Sequence, residues 1–537
     1  MKAYAAQPRI CVMSDTATAP YPPSAETMDV LIVGAGLSGI GAAWHLQQHC
    51  PGQRYAILEG RSASGGTWDL FRYPGVRSDS DMHTLGYHFR PWLQAQAIAD
   101  GPAILKYIRD TAQENGIAPH IRYGHRVLRA DWSSADARWT VQVSLADAPD
   151  APDAPDTPDA PPLIFTTRVL HLCSGYYDYS AGYLPGWPGM AGFRGRRVHP
   201  QHWPADLDCT GLRVVVIGSG ATAVTLVPEL AKTAAHVTML QRSPTYIVAR
   251  PSKDAIANAL RARLPPGLAY ALTRWKNVLR GLYFYSLAQR KPAAVKAALV
   301  GWARQQLGPG IDVERHFTPR YKPWDQRVCL VPDGDLFQAI RNGRAEVVTD
   351  EIDHFTASGI RLKSGTELPA DVVVTATGLQ MQVAGGIQLQ VDGRPVDLSQ
   401  ALIYKGLMYS DLPNLAFAFG YTNASWTLKC DLTAAFLCRV INELDARRMD
   451  HFTPRCRDAS VSPDDSPPLA AGYMQRAQHL LPRQGSKAPW KLYQNYVRDL
   501  LMLRFGRLHD GSLVFGRKTG APAADLPSSA VAAKAQS

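Results

Sequence analysis

Short runs of apolar, mostly β-branched residues punctuate the chain, and glycine-rich turns follow two of them. Val30-Leu31-Ile32-Val33 runs into Gly34-Ala35-Gly36-Leu37-Ser38-Gly39. Val214-Val215-Val216-Ile217 runs into Gly218-Ser219-Gly220-Ala221-Thr222-Ala223. Four-residue apolar runs bounded by turn residues read as strands buried on both faces. An Ala-rich helical stretch follows each turn. Further strands are predicted at 139–143 and 165–170, from Val237 and Val347, and at 371–375 ahead of the tight turn Ala376-Thr377-Gly378. Strands alternating with helices predict an α/β fold of two doubly wound, Rossmann-like dinucleotide-binding domains. The first is discontinuous, 28–185 and 380–517. The second, 186–379, is inserted into it. Within the second, 253–310 is helical in pattern, interrupted by Pro265-Pro266, and reads as a helical insertion. Residues 1–27 are expected to be a flexible extension. The Ala-Pro-Asp repeat at 147–162 is expected to be a disordered loop at a hairpin tip, and the Ala/Ser/Pro-rich 518–537 a disordered tail.

Each glycine has a physical task. The first of each set permits the tight turn out of the strand. The second lets backbone reach a pyrophosphate, and the third lets helix and strand pack closely, with the helix N-terminus facing the phosphates. The two sets then diverge. After the first, the chain returns as Tyr55-Ala56-Ile57-Leu58-Glu59, and Glu59 stands where an acid bonds ribose hydroxyls. That suits the adenosine end of FAD or NAD. After the second, Val237-Thr238-Met239-Leu240-Gln241-Arg242 offers no acid. Arg242 can grip a 2′-phosphate that a carboxylate would repel. The pair therefore reads as FAD at the first site and NADPH at the second. Ala223, in the place of the third glycine, suggests a slightly looser helix–strand contact.

Composition narrows the setting. The 537 residues, 46% hydrophobic, suffice for two or three domains with real cores. The net charge of +11 could serve nucleic acid or an anionic surface, but no long Lys/Arg run supports nucleic acid. Eight cysteines without CxxC or zinc spacing read as reduced thiols in a cytoplasmic chain, and exclude a flavin disulfide reductase. No apolar run is long enough to span a bilayer, and the N-terminus shows no signal sequence. His199 and His202 form an isolated HxxH without a third ligand, so no metal site is expected. In the helical insertion, Leu268-Ala269-Tyr270, Trp275, Val278-Leu279 and Leu282-Tyr283-Phe284-Tyr285 interleave with Arg274, Lys276 and Arg280. Such a helix can lie on a membrane as a peripheral contact. The expectation favoured here is that its apolar face packs on the body near the substrate entrance.

One segment between the glycine motifs resembles a known fingerprint. Phe193-Arg194-Gly195-Arg196-Arg197-Val198-His199-Pro200-Gln201-His202-Trp203-Pro204 fits FxGxxxHxxxWP of the class B flavoprotein monooxygenases of Baeyer–Villiger type. Gly65-Gly66-Thr67-Trp68, Tyr73-Pro74-Gly75 and Asp79 meet a second pattern of that family, and Ala376-Thr377-Gly378 a third. Within it, Gly66 to Gly75, Pro323-Trp324-Asp325-Gln326-Arg327 and Gly420 to Trp426 resemble the ethionamide-activating branch. The resemblance spans roughly 28–515.

It implies an NADPH- and O2-dependent FAD monooxygenase forming a C4a-peroxyflavin. The substrates would be ketones oxidised to esters or lactones, and sulfides or thioamides oxidised at sulfur. An N- or S-oxygenating flavin monooxygenase without ketone activity is the alternative. By the family pattern Arg327 stabilises the anionic oxygen species, since a guanidinium keeps its charge and donates in a fork. Asp79 would hold Arg327, although Ser78-Asp79-Ser80-Asp81 could equally provide a helix N-cap. His199 would couple cofactor motion to catalysis. Gly66, Thr67 and Trp68 would wall the flavin, and Tyr421 and Trp426 are candidate pocket residues by position. Some relatives carry Lys where Gln326 stands, so phosphate recognition should lean on Arg242 and the Thr222 region. No nucleic-acid partner is implied, and the expected state is a monomer or weak homo-oligomer.

Overall fold

A computed structural model describes residues 25–145, 162–466 and 470–518. Apart from Pro162 and Lys518, the expected hairpin loop and tail lie outside the described residues, as does most of the expected N-terminal extension. Glu26 and Thr27 already belong to the first strand and pair with Phe165 and Thr166.

Each apolar run becomes the central strand of a parallel sheet. Glu26–Val33 lies between Tyr55–Leu58 and Leu163–Leu172, parallel to both. Ile121–Arg122 and Leu415–Phe417 extend the parallel layer at its two ends. The ten-residue Leu163–Leu172 strand has a double role. Its first half pairs antiparallel with Arg138–Leu145, and its second half pairs parallel with Leu415–Phe417. That explains the predicted hairpin flanking the Ala-Pro-Asp repeat. Strand alternation splits the run between two cores. Val30 and Ile32 face the helices Leu37–His49 and Trp426–Ala446, while Leu31 and Val33 face Trp132, Trp139 and Phe165. All four are buried, and each contributes about 1.5–3 kcal/mol of hydrophobic stabilisation.

The second sheet repeats the design with five parallel strands. Their order is Ala345–Thr349, His236–Gln241, Arg213–Ile217, Val372–Thr375 and Arg196–Val198. Val214 and Val216 pack on one side with the Ala221–Leu230 helix. Val215 and Ile217 pack on the other with Phe193 and Phe355. The chain passes between the domains twice, and the two passages run antiparallel as Tyr177–Gly182 and Leu379–Met381.

The helical insertion contains Ala255–Arg261, Pro266–Arg290 and Pro292–Leu307. Its long middle helix packs on the body only in part as expected: Ala269, Tyr270 and Val278 are buried, Tyr270 in the first domain's core and Val278 against Tyr421. The same buried side carries Thr273, Arg274 and Asn277, whereas Leu268, Leu272, Trp275, Leu279 and Tyr283 are exposed. Polar anchoring is the reason. Arg274 donates to the carbonyls of His83 and Gly86 at 2.9 and 2.7 Å, and Asn277 donates to Asp81 at 2.9 Å. Arg274 also lies 3.6 Å from the buried carboxylate of Asp431, which His88 and His45 flank at 3.1 and 3.5 Å.

Candidate active site

The turn after the first strand opens a cleft of about 520 Å³, lined from Gly34, Gly36 and Glu59 through Gly66, Thr67 and Trp68 to Asp79 and Arg327. Gly34 has φ +103°, which its tight turn requires, and a Cβ there would lie 2.6 Å from the Cys173 carbonyl oxygen. Gly36 and Gly66 stand back to back, so that a Cβ on Gly66 would lie 3.2 Å from the Gly36 Cα. Gly39 is closed off entirely, since its Cβ would fall 1.9 Å from the Gly34 carbonyl oxygen. The Leu37–His49 helix begins at Gly36 with no side chain capping it. Its first N–H groups are left for an anion. The Glu59 carboxylate accepts from the Ala35 N–H at 2.7 Å and the Arg61 N–H at 3.1 Å, which fixes its aim. Burial pushes its pKa up against those donors. Bare backbone, open helix end and oriented acid together fit a dinucleotide with its ribose at Glu59.

The second turn differs in the ways its residues foretell. Gly218 has φ +134°, and a Cβ on it would meet the Ala376 carbonyl oxygen at 2.3 Å. Gly220 is open, with nothing within 4 Å of a Cβ, and again no side chain caps the helix that follows. Ala223, fully buried in the second core, occupies the place that Gly39 must keep bare. Arg242 is exposed beyond the end of its strand. The Ser219 hydroxyl ties that return loop to the glycine turn through the Ser243 carbonyl at 3.2 Å and Thr245 at 2.8 Å. Thr222 is engaged elsewhere, hydrogen-bonded to the Tyr73 phenol. None of these residues lines the cleft.

The segment from Gly66 to Asp79 joins the two regions. It starts on the cleft floor, then buries Tyr73 and Val76 in the second domain's core. A Cβ on Gly75 would meet Glu229 of the second helix at 3.0 Å. Arg77 anchors the return by pairing with Asp335 at 2.5 Å. The segment ends at Asp79, which receives Arg327 as a fork: Nε to Oδ2 at 2.7 Å and Nη2 to Oδ1 at 3.0 Å. Asp81, not Asp79, caps the next helix, accepting from the Thr84 N–H at 3.1 Å. Two neighbouring acids thus divide two tasks that the sequence left open. Arg327 leaves a turn in which Trp324 has φ +73° and Asp325 accepts from the Lys322 N–H at 3.1 Å. Asp79's charge raises the pKa of Arg327 further, so the guanidinium stays protonated.

Three tyrosines surround this pair and were not singled out from sequence. Tyr176 and Tyr177 meet through their hydroxyls at 2.5 Å, and Tyr473 hydrogen-bonds Tyr176. Burial raises all three phenol pKa values, so they remain neutral donors. Tyr176 also stacks on Trp426, with centroids 5.2 Å apart. For Tyr176 and Tyr177 the only local signal was their place just beyond the carboxyl end of the Leu163–Leu172 strand, where ligands meet such sheets; Tyr473, in the helix Gly472–Arg476, gave none. Tyr421 and Trp426 do line the cleft. Trp426 donates to the Ser38 hydroxyl at 2.8 Å, and Tyr421 to Asp499 at 2.7 Å.

His199 stands away from the cleft, which His202 lines instead. The Gln201 N–H donates to His199 Nδ1, which leaves Nε2–H to donate to the Gly378 carbonyl, both at 3.2 Å. Burial lowers its pKa and keeps it neutral. A Cβ on Gly182 would overlap the ring at 1.9 Å, so His199 is pressed against both interdomain passages. Thr377, in the same turn, donates to the Tyr183 carbonyl.

Comparison with known proteins agrees with this geometry. A family described as flavin-binding monooxygenase-like matches residues 101–267, and an NAD(P)-binding Rossmann-like domain matches 32–95. The chain is 52% identical over 494 residues to the FAD-containing monooxygenase EthA of Mycobacterium tuberculosis, covering 92% of this chain and 98% of that one. It is 46% identical over 494 residues to the probable FAD-binding monooxygenase AlmA of an Acinetobacter species, covering 91% and 97%. The fold matches that of an oxidised steroid monooxygenase bound to NADP, with a TM-score of 0.70 at 21% identity over 91% of this chain and all of that one. No helix among the described residues is long and apolar enough to cross a membrane. With its identity to EthA extending over nearly the whole of both chains, the protein belongs to the FAD-containing monooxygenase family.

Proposed function

We propose that this enzyme uses NADPH and O2 to oxygenate small apolar molecules, inserting oxygen beside a ketone carbonyl or adding it to soft sulfur. The forked Asp79–Arg327 pair, held in the same cleft as the first glycine turn, is the observation that carries this reading. FAD, when bound, would supply the reduced ring that activates O2. The protein's share is positioning, charge and dryness. Arg327 offers a permanent cation where negative charge must develop, and Asp79 fixes its plane through two hydrogen bonds. Tyr176, Tyr177 and Tyr473 add neutral donors around it. Trp68, Phe419 and Trp426 supply apolar wall, which excludes water and strengthens each electrostatic contact. Arg242 would select the phosphorylated nicotinamide dinucleotide. The Gly66–Asp79 segment supports the reading by joining both nucleotide regions to Arg327.

The test is product analysis coupled to NADPH consumption, with phenyl ketones, long-chain ketones and aryl sulfides. Ester or sulfoxide should form in near proportion to NADPH oxidised. Stoichiometric hydrogen peroxide with every substrate would overturn the oxygenase reading. Sulfoxide without ester from any ketone would overturn its ketone half.

A further inference from the structure

The Pro266–Arg290 helix shows solvent a face that should be inside. Leu268, Leu272, Trp275, Leu279 and Tyr283 are 50, 46, 41, 53 and 64% exposed. Their spacing of four, three, four and four puts them within an arc of about 80° and along about 22 Å of one helix side. The opposite side holds Arg274 and Asn277, whose hydrogen bonds fix the helix on the body. Scattered exposed apolar residues need no explanation, but a contiguous row of this length does. The row continues onto a neighbouring element. Tyr496 lies 5.9 Å from Trp275, centroid to centroid, and begins the helical run that carries Leu501 and Phe505, 57 and 70% exposed.

The charge of this region identifies what covers it. Between Asp254 and Asp312 the sequence has no acidic residue and nine Lys or Arg. The chain's net charge is +11, so this one insertion carries most of the excess. Arg263, Arg280, Arg290 and Lys291 are exposed, and no carboxylate pairs with them among the described residues. Arg498 and Arg504 border the adjoining run. A second copy meeting this face through itself would oppose cation to cation. An apolar row with Trp and Tyr, edged by cations, matches the headgroup boundary of an anionic bilayer.

We propose that this face docks the enzyme on anionic lipid membranes, with the Leu268–Tyr283 row in the interface and the arginines on lipid phosphates. The same helix backs the cleft: Asn277 donates to Asp81, and Val278 packs with Tyr421. A docked enzyme would therefore hold its cleft wall next to a reservoir of apolar molecules.

Flotation of the purified FAD-loaded enzyme with vesicles tests this, comparing phosphatidylcholine alone with phosphatidylcholine containing phosphatidylglycerol. Binding should favour the anionic vesicles and weaken as salt rises. Leu272→Ser/Leu279→Ser and, separately, Arg280→Glu/Arg290→Glu should each reduce it at least tenfold. Both variants should keep their FAD and their NADPH oxidation rate, because neither pair touches the cleft. Failure to bind anionic vesicles, or equal binding to neutral ones, would overturn the proposal. So would a dimer in sedimentation velocity that the leucine variant dissociates while vesicles bind neither form, which would give the face to a second copy.

Discussion

Gly39→Ala and Gly220→Ala add one methyl group each to equivalent-looking glycine turns, yet they should behave in opposite ways. At Gly39 the new Cβ would sit 1.9 Å from the Gly34 carbonyl oxygen. Ordinary contact needs about 3.2–3.4 Å, so helix and turn must part by about 1.3–1.5 Å, and overpacking of this kind costs roughly 1–3 kcal/mol. The displaced parts are the Gly34–Gly36 turn and the uncapped helix end, which are the surfaces offered to the pyrophosphate. If half or more of that cost, about 0.5–3 kcal/mol, appears in binding, FAD affinity should fall about 2- to 150-fold, at about 1.4 kcal/mol per decade. At Gly220 the Cβ meets nothing within 4 Å, and φ is −79°. Folding and FAD content should therefore match the wild type there. The methyl would still stand on backbone that a second dinucleotide must approach, so the KM for NADPH should rise at least tenfold. The assays are flavin absorbance per mole of purified protein, FAD titration of the apoprotein, and steady-state NADPH oxidation. A Gly39→Ala enzyme with full flavin and wild-type affinity would refute the steric reasoning, as would a Gly220→Ala enzyme that loses FAD.

Three further outcomes follow from particular contacts. Arg327→Ala should divert NADPH oxidation to hydrogen peroxide. Asp79→Asn, which keeps the shape but removes the counter-charge, should lower oxygenation about tenfold, or about 1.4 kcal/mol; product per NADPH checks both, and coupling as good as wild type in either would remove the pair from the chemistry. Arg242→Ala should reduce the NADPH-over-NADH ratio of kcat/KM at least tenfold, and an unchanged ratio would discard that residue's assignment. Burial holds His171 at about 4 against an ordinary 6.5, so the unfolded chain takes up its proton first as pH falls. Its contribution is complete above pH 6.5 and declines towards pH 4, a loss of about 2 kcal/mol by pH 5. Denaturant titrations at pH 7.5 and 5 should differ by that much less in His171→Gln, and equal differences would reject the linkage.

Much of the architecture was legible because it is encoded locally. An apolar run, a glycine turn and a helix occupy consecutive residues, and their geometry depends on the missing Cβ atoms and on the strand's two-residue period. The contrast between Glu59 and Arg242 was legible for the same reason, since each lies at the end of the next strand. Residues brought together across the chain were not legible. Asp79 and Arg327 are 248 positions apart, and four consecutive residues offered either a cap or an arginine partner. Tertiary packing gave the cap to Asp81 and the arginine to Asp79. Tyr176, Tyr177 and Tyr473 converge only because an interdomain passage and a late helix meet over that arginine.

The long helix of the insertion marks the boundary most sharply. Its sequence determines that it is helical, basic and rich in Leu, Trp and Tyr. The side that faces inward is the one from which Arg274 and Asn277 reach carbonyls and a carboxylate on the body, with Tyr270 and Val278 packed beside them. A buried polar group without a partner costs more than an exposed leucine. The fold therefore seated the side that carries Arg274 and Asn277 along with Tyr270 and Val278, and left the leucine row outward, a choice that periodicity along the chain does not disclose.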